Sequence, residues 1–183
     1  EPFLFKGSVA ENISYSRPNA LSHEIISAAK AANAHDFIVQ FPDGYDTVVG
    51  ERGTRVSGGE RQRVEICRSL LQIWPQLERG EGVVLLDEPL QGLDIRHQYA
   101  LASLVKFLCD KGNTLLMTSH DIALSANYCD SLWLMQKGRM VAFGKPQEVA
   151  TQTNLESVFE CHFAISKHDN FLEIQVCAPI SLE

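Results

Sequence analysis

Long apolar runs, excess basic charge and closely paired cysteines are all missing from this sequence, and each absence excludes a class of protein. No apolar stretch reaches the roughly 18 residues of a membrane span, so another segment or subunit would have to supply any membrane contact. Lysine and arginine number 16 against 23 acidic residues, for a net charge of −7, whereas nucleic-acid faces need a basic stripe. The five cysteines form no C-x-x-C pair, a pattern typical of reduced thiols in a cytosolic protein.

The remaining composition is that of a folded α/β protein. Hydrophobic residues make up 45% of the 183 residues, enough to bury a core, and the length suits one domain or one with a small appendage. Helical spacing and turns fill residues 1–75, whereas short apolar runs alternate with helices from residue 80. Alternating strands and helices predict a parallel α/β sheet, preceded here by a helical segment.

The first part of the chain carries two helix predictions and one loop prediction. Ser22 is expected to cap a helix whose apolar spacing continues to about Phe37. The turn-rich stretch "PDGYDTVVGERG", residues 42–53, predicts an exposed loop. Ser57 is then expected to cap a helix over residues 58–73.

The second part predicts two buried parallel strands and two strand pairs. "VVLLDE" and "TLLMTSHD" are continuous apolar runs, typical of strands covered on both faces, and the helix between them is expected to end at Gly112. "SLWLMQKGRMVAFGKP" predicts two strands joined by a tight Lys137–Gly138 turn. A helical stretch over residues 146–160 and two strand-like runs, "CHFAIS" and "FLEIQVC", follow.

The start of the helix at "SGGE" predicts an anion site. Ser57 can cap the helix through its side-chain oxygen. Gly58 and Gly59 leave the first backbone N–H groups open to an anion that approaches closely. The rest of that site has to come from elsewhere.

Two further positions carry candidate chemistry at strand ends. Asp87 and Glu88 end the first buried strand, at the edge where open α/β sheets bind ligands. One carboxylate can hold Mg²⁺ through water and the other can polarise an attacking water; a solvated acidic strand end is the alternative. His120 ends the next strand, where it can bond a phosphoryl group or the attacking water, or be a packed or surface histidine. The other histidines stand in no such context and are expected to be structural or solvated: His23, His35, His97, His162 and His168.

In type and order, these motifs resemble those of ATP-binding-cassette (ABC) ATPases. The resemblance implies an incomplete P-loop NTPase-type parallel sheet with an N-terminal helical subdomain. It implies a signature-bearing helical subdomain over residues 1–75, a catalytic-core portion over 76–150, and a C-terminal helix with short strands over 151–183. ATP and Mg²⁺ are the implied cofactors.

The resemblance also implies roles for single residues. "VSGGE" is similar to the family's signature motif L-S-G-G-Q, which closes over ATP held by a partner domain. "VVLLDE" is similar to the Walker B strand and "QGLD" to the D-loop, although Gln91 stands where the family usually has Ser. The implied assignments are Ser57, Gly58, Gly59 and Glu60 to the partner's nucleotide, Asp87 to Mg²⁺, Glu88 to the catalytic base, Asp94 to the D-loop and His120 to the switch histidine.

Two parts of this sequence resemble two different subgroups of the family. Residues 1–63, with "TVVGERG", are similar to ABC exporters, in which that loop touches the transmembrane coupling helices. Residues 64–183, with "LLQIWPQLERGEGVVLLDEPLQGLD" and "TNLESVFECHFAI", are similar to the ATPase subunit of the bacterial vitamin B12 importer. The change in resemblance at residue 63, called the seam below, fits either a natural variant or a mosaic of two parent proteins. The mosaic is favoured.

The phosphate-binding loop G-x-x-x-x-G-K-[ST] is missing from the sequence. The only Gly-Lys pair is Gly144–Lys145, and Pro146 follows it. By resemblance, the sequence corresponds to the C-terminal two-thirds of a nucleotide-binding domain. Because central strands would then be lacking, we expect an unpaired edge and exposed apolar surface on "VVLLD" and "LLMTS".

The function that follows from the resemblance is part of an ATP-hydrolysing subunit that powers solute transport, without activity expected in isolation. Its implied partners are a second nucleotide-binding domain, paired head to tail, and a transmembrane domain or subunit, which places it on the cytoplasmic face of a membrane. A catalytically inert interaction fragment is one alternative. A non-transport ABC ATPase of the DNA-repair type is another, although neither heptads nor a basic face are present.

Overall fold

The structure is a computed structural model that describes residues 3–50, 56–169 and 171–180. The chain divides into two compact units, Glu1–Ser119 and His120–Glu183. The three-part division expected from the family resemblance stays a prediction.

The first unit combines helices with two small sheets in the residues that the structure describes. Its elements in chain order are β1 (Gly7–Ser8), α1 (Val9–Ser14), α2 (Ser22–Ala31), α3 (His35–Ile38), β2 (Val48–Val49), α4 (Gly58–Gln72), α5 (Trp74–Arg79), β3 (Val83–Leu86), α6 (Ile95–Asp110) and β4 (Thr114–Met117). Helices α1 and α2 both pack against α4. The predicted helix at residues 58–73 is confirmed as α4.

The predicted helix that follows Ser22 differs from the structure at both ends. Ser22 is the first helical residue of α2, and Leu21 is the N-cap; the Leu21 N–H donates to the Glu24 carboxylate over 2.8 Å. The prediction of Ser22 as the cap is therefore wrong by one residue. Helix α2 ends before Asn33, whose φ of 54° is left-handed, so the stretch to Phe37 is divided between α2 and α3.

The predicted exposed loop at residues 42–53 is partly wrong. Val49 is fully buried (0% exposed) because β2 pairs antiparallel with β1, with Val49 opposite Gly7. The Val9 N–H also donates to the Thr47 carbonyl over 3.0 Å. This long-range pairing brings part of the turn-rich stretch into the core. Residues 51–53, the end of the predicted loop, lie outside the described residues.

The two predicted parallel strands are confirmed as β3 and β4, paired from Val83–Thr114 to Leu86–Met117. Helix α6 packs against β4, and α4 contacts β3. The buried Asn113 side chain accepts a hydrogen bond from the Gly82 N–H over 2.9 Å and donates to the carbonyls of Leu77 and Leu108. Within the described ranges this pair is the one parallel sheet; the larger P-loop-type sheet stays a prediction.

The outer face of β3 and β4 is apolar and open, as expected. Val83 is 65% exposed, Leu85 71% and Leu116 46%, while Val84 and Leu86 on the opposite face are buried. Alternate residues of a strand point to opposite faces of its sheet, so one face of β3 packs against the unit and the other does not. The expectation that both faces of the strand are covered is wrong for this pair.

In the described residues of the second unit there are two antiparallel strand pairs and three helices. Its elements are α7 (Ile122–Tyr128), β5 (Leu132–Gln136), β6 (Arg139–Gly144), α8 (Pro146–Val149), α9 (Gln152–Phe159), β7 (Cys161–His168) and β8 (Phe171–Pro179). Strand β5 pairs with β6, and β7 with β8. The core gathers Ala126, Leu132, Leu134, Val149, Ala150, Leu155, Phe163 and Leu172.

Most of the local predictions for this unit are confirmed. Lys137 and Gly138, with φ of 48° and 74°, form the predicted turn between β5 and β6, as a two-residue hairpin requires. The helical stretch predicted over residues 146–160 is two helices, α8 and α9. None of the helices in the described ranges has both the length and the apolar character to cross a membrane.

Candidate functional site

The acidic pair Asp87–Glu88 directly follows β3 and is held by a residue from the neighbouring strand end. Thr118 follows β4, and its N–H donates to the Leu86 carbonyl over 3.0 Å. Its hydroxyl donates to Asp87 Oδ1 over 2.6 Å and accepts the Glu88 N–H over 2.8 Å. One hydroxyl therefore joins both acidic residues at the carboxyl end of the parallel pair.

Glu88 has a backbone conformation that is unusual for its residue type. Its φ is +44°, in the left-handed region that side chains other than glycine rarely adopt. The Gln91 N–H donates to the Glu88 carbonyl over 3.0 Å, which closes a turn immediately after the strand. The turn directs the chain away from β3 toward Asp94 and α6.

The start of α4 is organised by a capping box. Ser57 Oγ accepts the Glu60 N–H over 3.3 Å, and the Glu60 carboxylate accepts the Ser57 N–H over 2.7 Å. Gly58 and Gly59 are the first two helical residues, so their N–H groups precede the helical hydrogen-bonding pattern and point out of the helix end. Ser57 and Gly58 are exposed. The predicted cap at Ser57 is confirmed, and this end of the helix is accessible to an anion.

The start of α4 touches the turn that precedes α6. A Cβ placed on Gly59 would lie 3.0 Å from the Gly92 carbonyl oxygen and 3.8 Å from Leu93 Cδ2, whereas one on Gly58 would meet nothing within 4 Å. The two predicted motifs "VSGGE" and "QGLD" are thus adjacent in the first unit. Of the two glycines, Gly59 makes the contact and Gly58 stays open.

Asp94 caps α6 and is tied to a neighbouring histidine. Its carboxylate accepts the His97 N–H over 3.0 Å and lies 2.8 Å from His97 Nδ1. The His97 N–H, and then the imidazole, lower the pKa of the Asp94 carboxyl. Burial lowers the pKa of the Arg63 guanidinium, and the charges of Glu60 and Asp94 oppose that effect. Arg63 on α4 therefore interacts electrostatically with both motifs.

His120 opens the second unit. It is exposed, and it precedes Asp121, whose carboxylate caps α7 by accepting the Leu124 N–H over 2.8 Å. Its implied role as the switch histidine stays a prediction.

The acidic pair offers the donor chemistry that Mg²⁺ prefers. Asp87 supplies a carboxylate oxygen, a hard donor of the kind that Mg²⁺ binds while keeping several water ligands. In the part of the chain that the structure describes, no three His, Cys, Asp or Glu side chains converge as a metal cage would require. A single carboxylate with water and phosphate oxygens completing the shell fits this arrangement.

Three residues of this region were not found by motif spacing. Thr118 lies two residues before the predicted histidine and carries no motif of its own, and only the strand register brings it to Asp87. His97 was expected to be structural or solvated, and it contacts Asp94. Arg63 shows in the sequence only as one of several basic residues on α4. Each of the three residues matters because of the element that it lies beside in the fold, and a single sequence does not reveal which elements are neighbours.

Comparisons with known proteins show similarity to transporters. No protein-family model matches the chain. ABC transporter B family member 4 of Dictyostelium discoideum is 39% identical over 155 residues, which are 85% of this chain and 19% of that protein. The ATP-dependent lipid A-core flippase of Syntrophus aciditrophicus is 41% identical over 144 residues, 79% of this chain and 22% of that protein. The chain thus spans about a fifth of the length of these curated relatives.

A solved structure supports the same relationship. The structure of a bacterial Atm1-family ABC exporter with ATP bound matches with a TM-score of 0.68 and 33% identity, over 80% of this chain and 24% of that one. Sequence matches of 144 and 155 residues extend past residue 63, so the exporter-like similarity continues beyond the predicted seam. The likeness of residues 64–183 to the vitamin B12 importer subunit stays a prediction.

Proposed function

Because the chain belongs to the ABC transporter family, as a partial domain with exporter-like similarity, we propose that it is part of an ATP-hydrolysing subunit that powers solute transport across a membrane. The observation that carries the proposal is the joining of Asp87 and Glu88 through the Thr118 hydroxyl at the end of β3. Two adjacent carboxylates held at a strand end suit a metal-assisted hydrolysis, with one on the metal and one on the water.

In this proposal, the two carboxylates have separate tasks. Asp87 would hold Mg²⁺, and the ion would supply positive charge that neutralises the phosphate groups. Glu88 orients and polarises the attacking water, and His120 donates a hydrogen bond to the γ-phosphate. Asp94, fixed as the cap of α6 by His97, shapes the turn beside the start of α4.

The start of α4 acts on a second nucleotide-binding domain, which pairs head to tail with this one. The first N–H groups of α4, at Gly58 and Gly59, face the γ-phosphate of ATP held by that domain, since helix N-termini attract anions. Ser57 Oγ accepts the Glu60 N–H and can donate its own proton to a phosphate oxygen. The Glu60 carboxylate keeps the Ser57 backbone in place through the capping box. A transmembrane domain or subunit holds the pair at the cytoplasmic face of the membrane.

One prediction concerns the 183-residue chain by itself: calorimetric titration with Mg-ATP should give no measurable binding. Hydrogen bonds to charged groups contribute about 1.5–3 kcal/mol each, and a millimolar ligand is held by only about 4 kcal/mol. Without the several donors and the lysine of a phosphate-binding loop, the remaining contacts fall short of that. Micromolar binding would mean that another phosphate cradle exists in these residues, and the site assignment would be wrong.

A second prediction tests the approach of a partner's nucleotide to α4. In the full-length transporter that contains this sequence, Gly58→Asp should lower ATP turnover by more than about tenfold, because juxtaposed like charges cost several kcal/mol. The change should leave folding intact, since a side chain at Gly58 meets nothing within 4 Å and an acidic residue suits the first helical turn.

The matched control for this variant is Ser22→Asp, which places the same charge at the exposed first residue of α2. Its turnover should stay close to that of the parent transporter. Equal turnover in both variants would show that no anion approaches α4 during hydrolysis. Thermal melting of both variants verifies that the comparison is made on folded protein.

A further inference from the structure

Thr118 occupies its position because of the register between β3 and β4. Met117 is paired with Leu86, and the Thr118 N–H continues the ladder by donating to the Leu86 carbonyl over 3.0 Å. The side chain therefore lies beside the first residues after β3 and not along the sheet face that packs against α6. Its hydroxyl reaches the acidic pair from the neighbouring strand.

The bond from Thr118 to Asp87 orients the carboxylate. The distance of 2.6 Å between Thr118 Oγ and Asp87 Oδ1 is in the short range of hydroxyl bonds to an ionised acceptor. A hydroxyl has one proton to donate, and here it goes to Oδ1. The rotation of the Asp87 carboxylate is thereby restricted, and Oδ2 remains as the oxygen for a hydrated cation.

The bond from Glu88 to Thr118 acts on the backbone. The Glu88 N–H donates to Thr118 Oγ over 2.8 Å, and φ of Glu88 is +44°. Conformations of this kind persist only when the surrounding contacts hold them, and they gather at functional sites. The same hydroxyl therefore restrains the direction in which the Glu88 side chain leaves the strand.

From this geometry we infer that Thr118 is a positioning residue for ATP hydrolysis, which sets the Asp87 carboxylate toward Mg²⁺ and the Glu88 side chain toward the water. This inference rests on the proposed function. The essential group is the hydroxyl, since it is the donor to one acidic residue and the acceptor for the other. A methyl group of the same shape supports neither bond.

The test uses three variants of the full-length transporter that contains this sequence: Thr118→Val, Thr118→Ser and Thr114→Val. Thr118→Val should lower kcat by about 10- to 100-fold, the usual effect of removing a partner of a metal ligand, with little change in KM for ATP. Thr118→Ser keeps the hydroxyl and should restore kcat to near the parent value. Thr114→Val is the matched control, because Thr114 is also exposed and, four residues before Thr118, lies on the same side of the extended chain.

A second readout does not depend on turnover. In a Glu88→Gln background with ATP present, Mn²⁺ binding followed by electron paramagnetic resonance should weaken by about 10- to 100-fold in Thr118→Val and stay unchanged in Thr114→Val. If Thr118→Val matches Thr114→Val in kcat and Mn²⁺ affinity, the inference is overturned. It is equally overturned if Ser and Val at position 118 reduce kcat alike, since the hydroxyl would then have no special role.

The failure of the inference is distinguishable from that of the proposed function. If the Thr118→Val variant has normal turnover while the Glu88→Gln variant is inactive, only the role of Thr118 is overturned. Normal turnover of Glu88→Gln itself overturns the assignment of the acidic pair, and with it the inference.

Discussion

Replacing Glu88 with Gln in the full-length protein that contains this sequence should, under the proposed function, leave ATP binding intact and lower ATP hydrolysis by about 10²- to 10⁴-fold, the range for loss of a positioned general base. Gln has the shape of Glu but cannot polarise a water by accepting its proton. The Glu88 backbone is held by its N–H bond to Thr118 and its carbonyl bond from Gln91, so the new side chain should leave the strand in the same direction. Steady-state phosphate release and equilibrium binding of ATP measure the two quantities separately.

Glu81→Gln serves as the control for the loss of one carboxylate. Glu81 is exposed, lies before the opposite end of β3, and pairs with Arg79 over 2.9 Å; exposed pairs of this kind contribute little. Its turnover should match that of the parent. If the turnover of the Glu88→Gln variant is within about twofold of that of the parent, Glu88 is not the general base, because removal of a general base lowers the rate far more than that.

Gly80→Ala should destabilise the first unit by about 2–5 kcal/mol, the largest stability effect we expect from a single methyl group here. Gly80 has φ of +72°, and a Cβ there would lie 2.1 Å from the Lys111 carbonyl oxygen. The left-handed conformation costs about 1–2 kcal/mol for an L-residue, and overpacking against backbone adds about 1–3 kcal/mol. The loops that lead into β3 and β4 touch at this point, so the strain falls on the start of both strands.

Gly92→Ala isolates the conformational part of that cost. Gly92 has φ of +75°, nearly that of Gly80, but a Cβ there meets nothing within 4 Å. Its destabilisation should be limited to about 1–2 kcal/mol. Urea unfolding of a Trp133→Phe background, followed by the fluorescence of Trp74 in α5, reports on the first unit. Equal free energies of unfolding for the two alanine variants would show that the close contact with Lys111 is absent.

Local sequence signals predicted the elements of the fold well where a cap or a turn marked their ends. Ser57 predicted the start of α4, and the Lys137–Gly138 pair predicted the β5–β6 turn, because their chemistry acts within a few residues of the chain. The cap of α2 was predicted at Ser22, one residue after the observed N-cap, Leu21. Leu21 has no side-chain oxygen to accept an N–H of the first turn, and the Glu24 carboxylate accepts the Leu21 N–H instead.

Features that depend on distant residues could not be predicted in this way. Val49 is buried because β2 pairs with β1 more than forty residues earlier, although its surroundings in the sequence are turn residues. The candidate site divides in the same way. The resemblance of "SGGE", "DE" and "GLD" to family motifs implied Ser57, Asp87 and Asp94, whereas the contact that Thr118 makes depends on strand register. Neither the composition nor the periodicity of the sequence predicts the left-handed backbone conformation of Glu88.

The contact between Gly59 and Gly92 has a mechanical consequence. The 3.0 Å from a Cβ at position 59 to the Gly92 carbonyl oxygen leaves no layer of side chains that could absorb movement between the two segments. Closely packed segments transmit strain, so we expect a shift of the first turn of α4 to be felt at the turn before Asp94. A side chain at position 59 would meet the Gly92 carbonyl oxygen, so we expect a larger residue there to push the first turn of α4 and the turn before Asp94 apart.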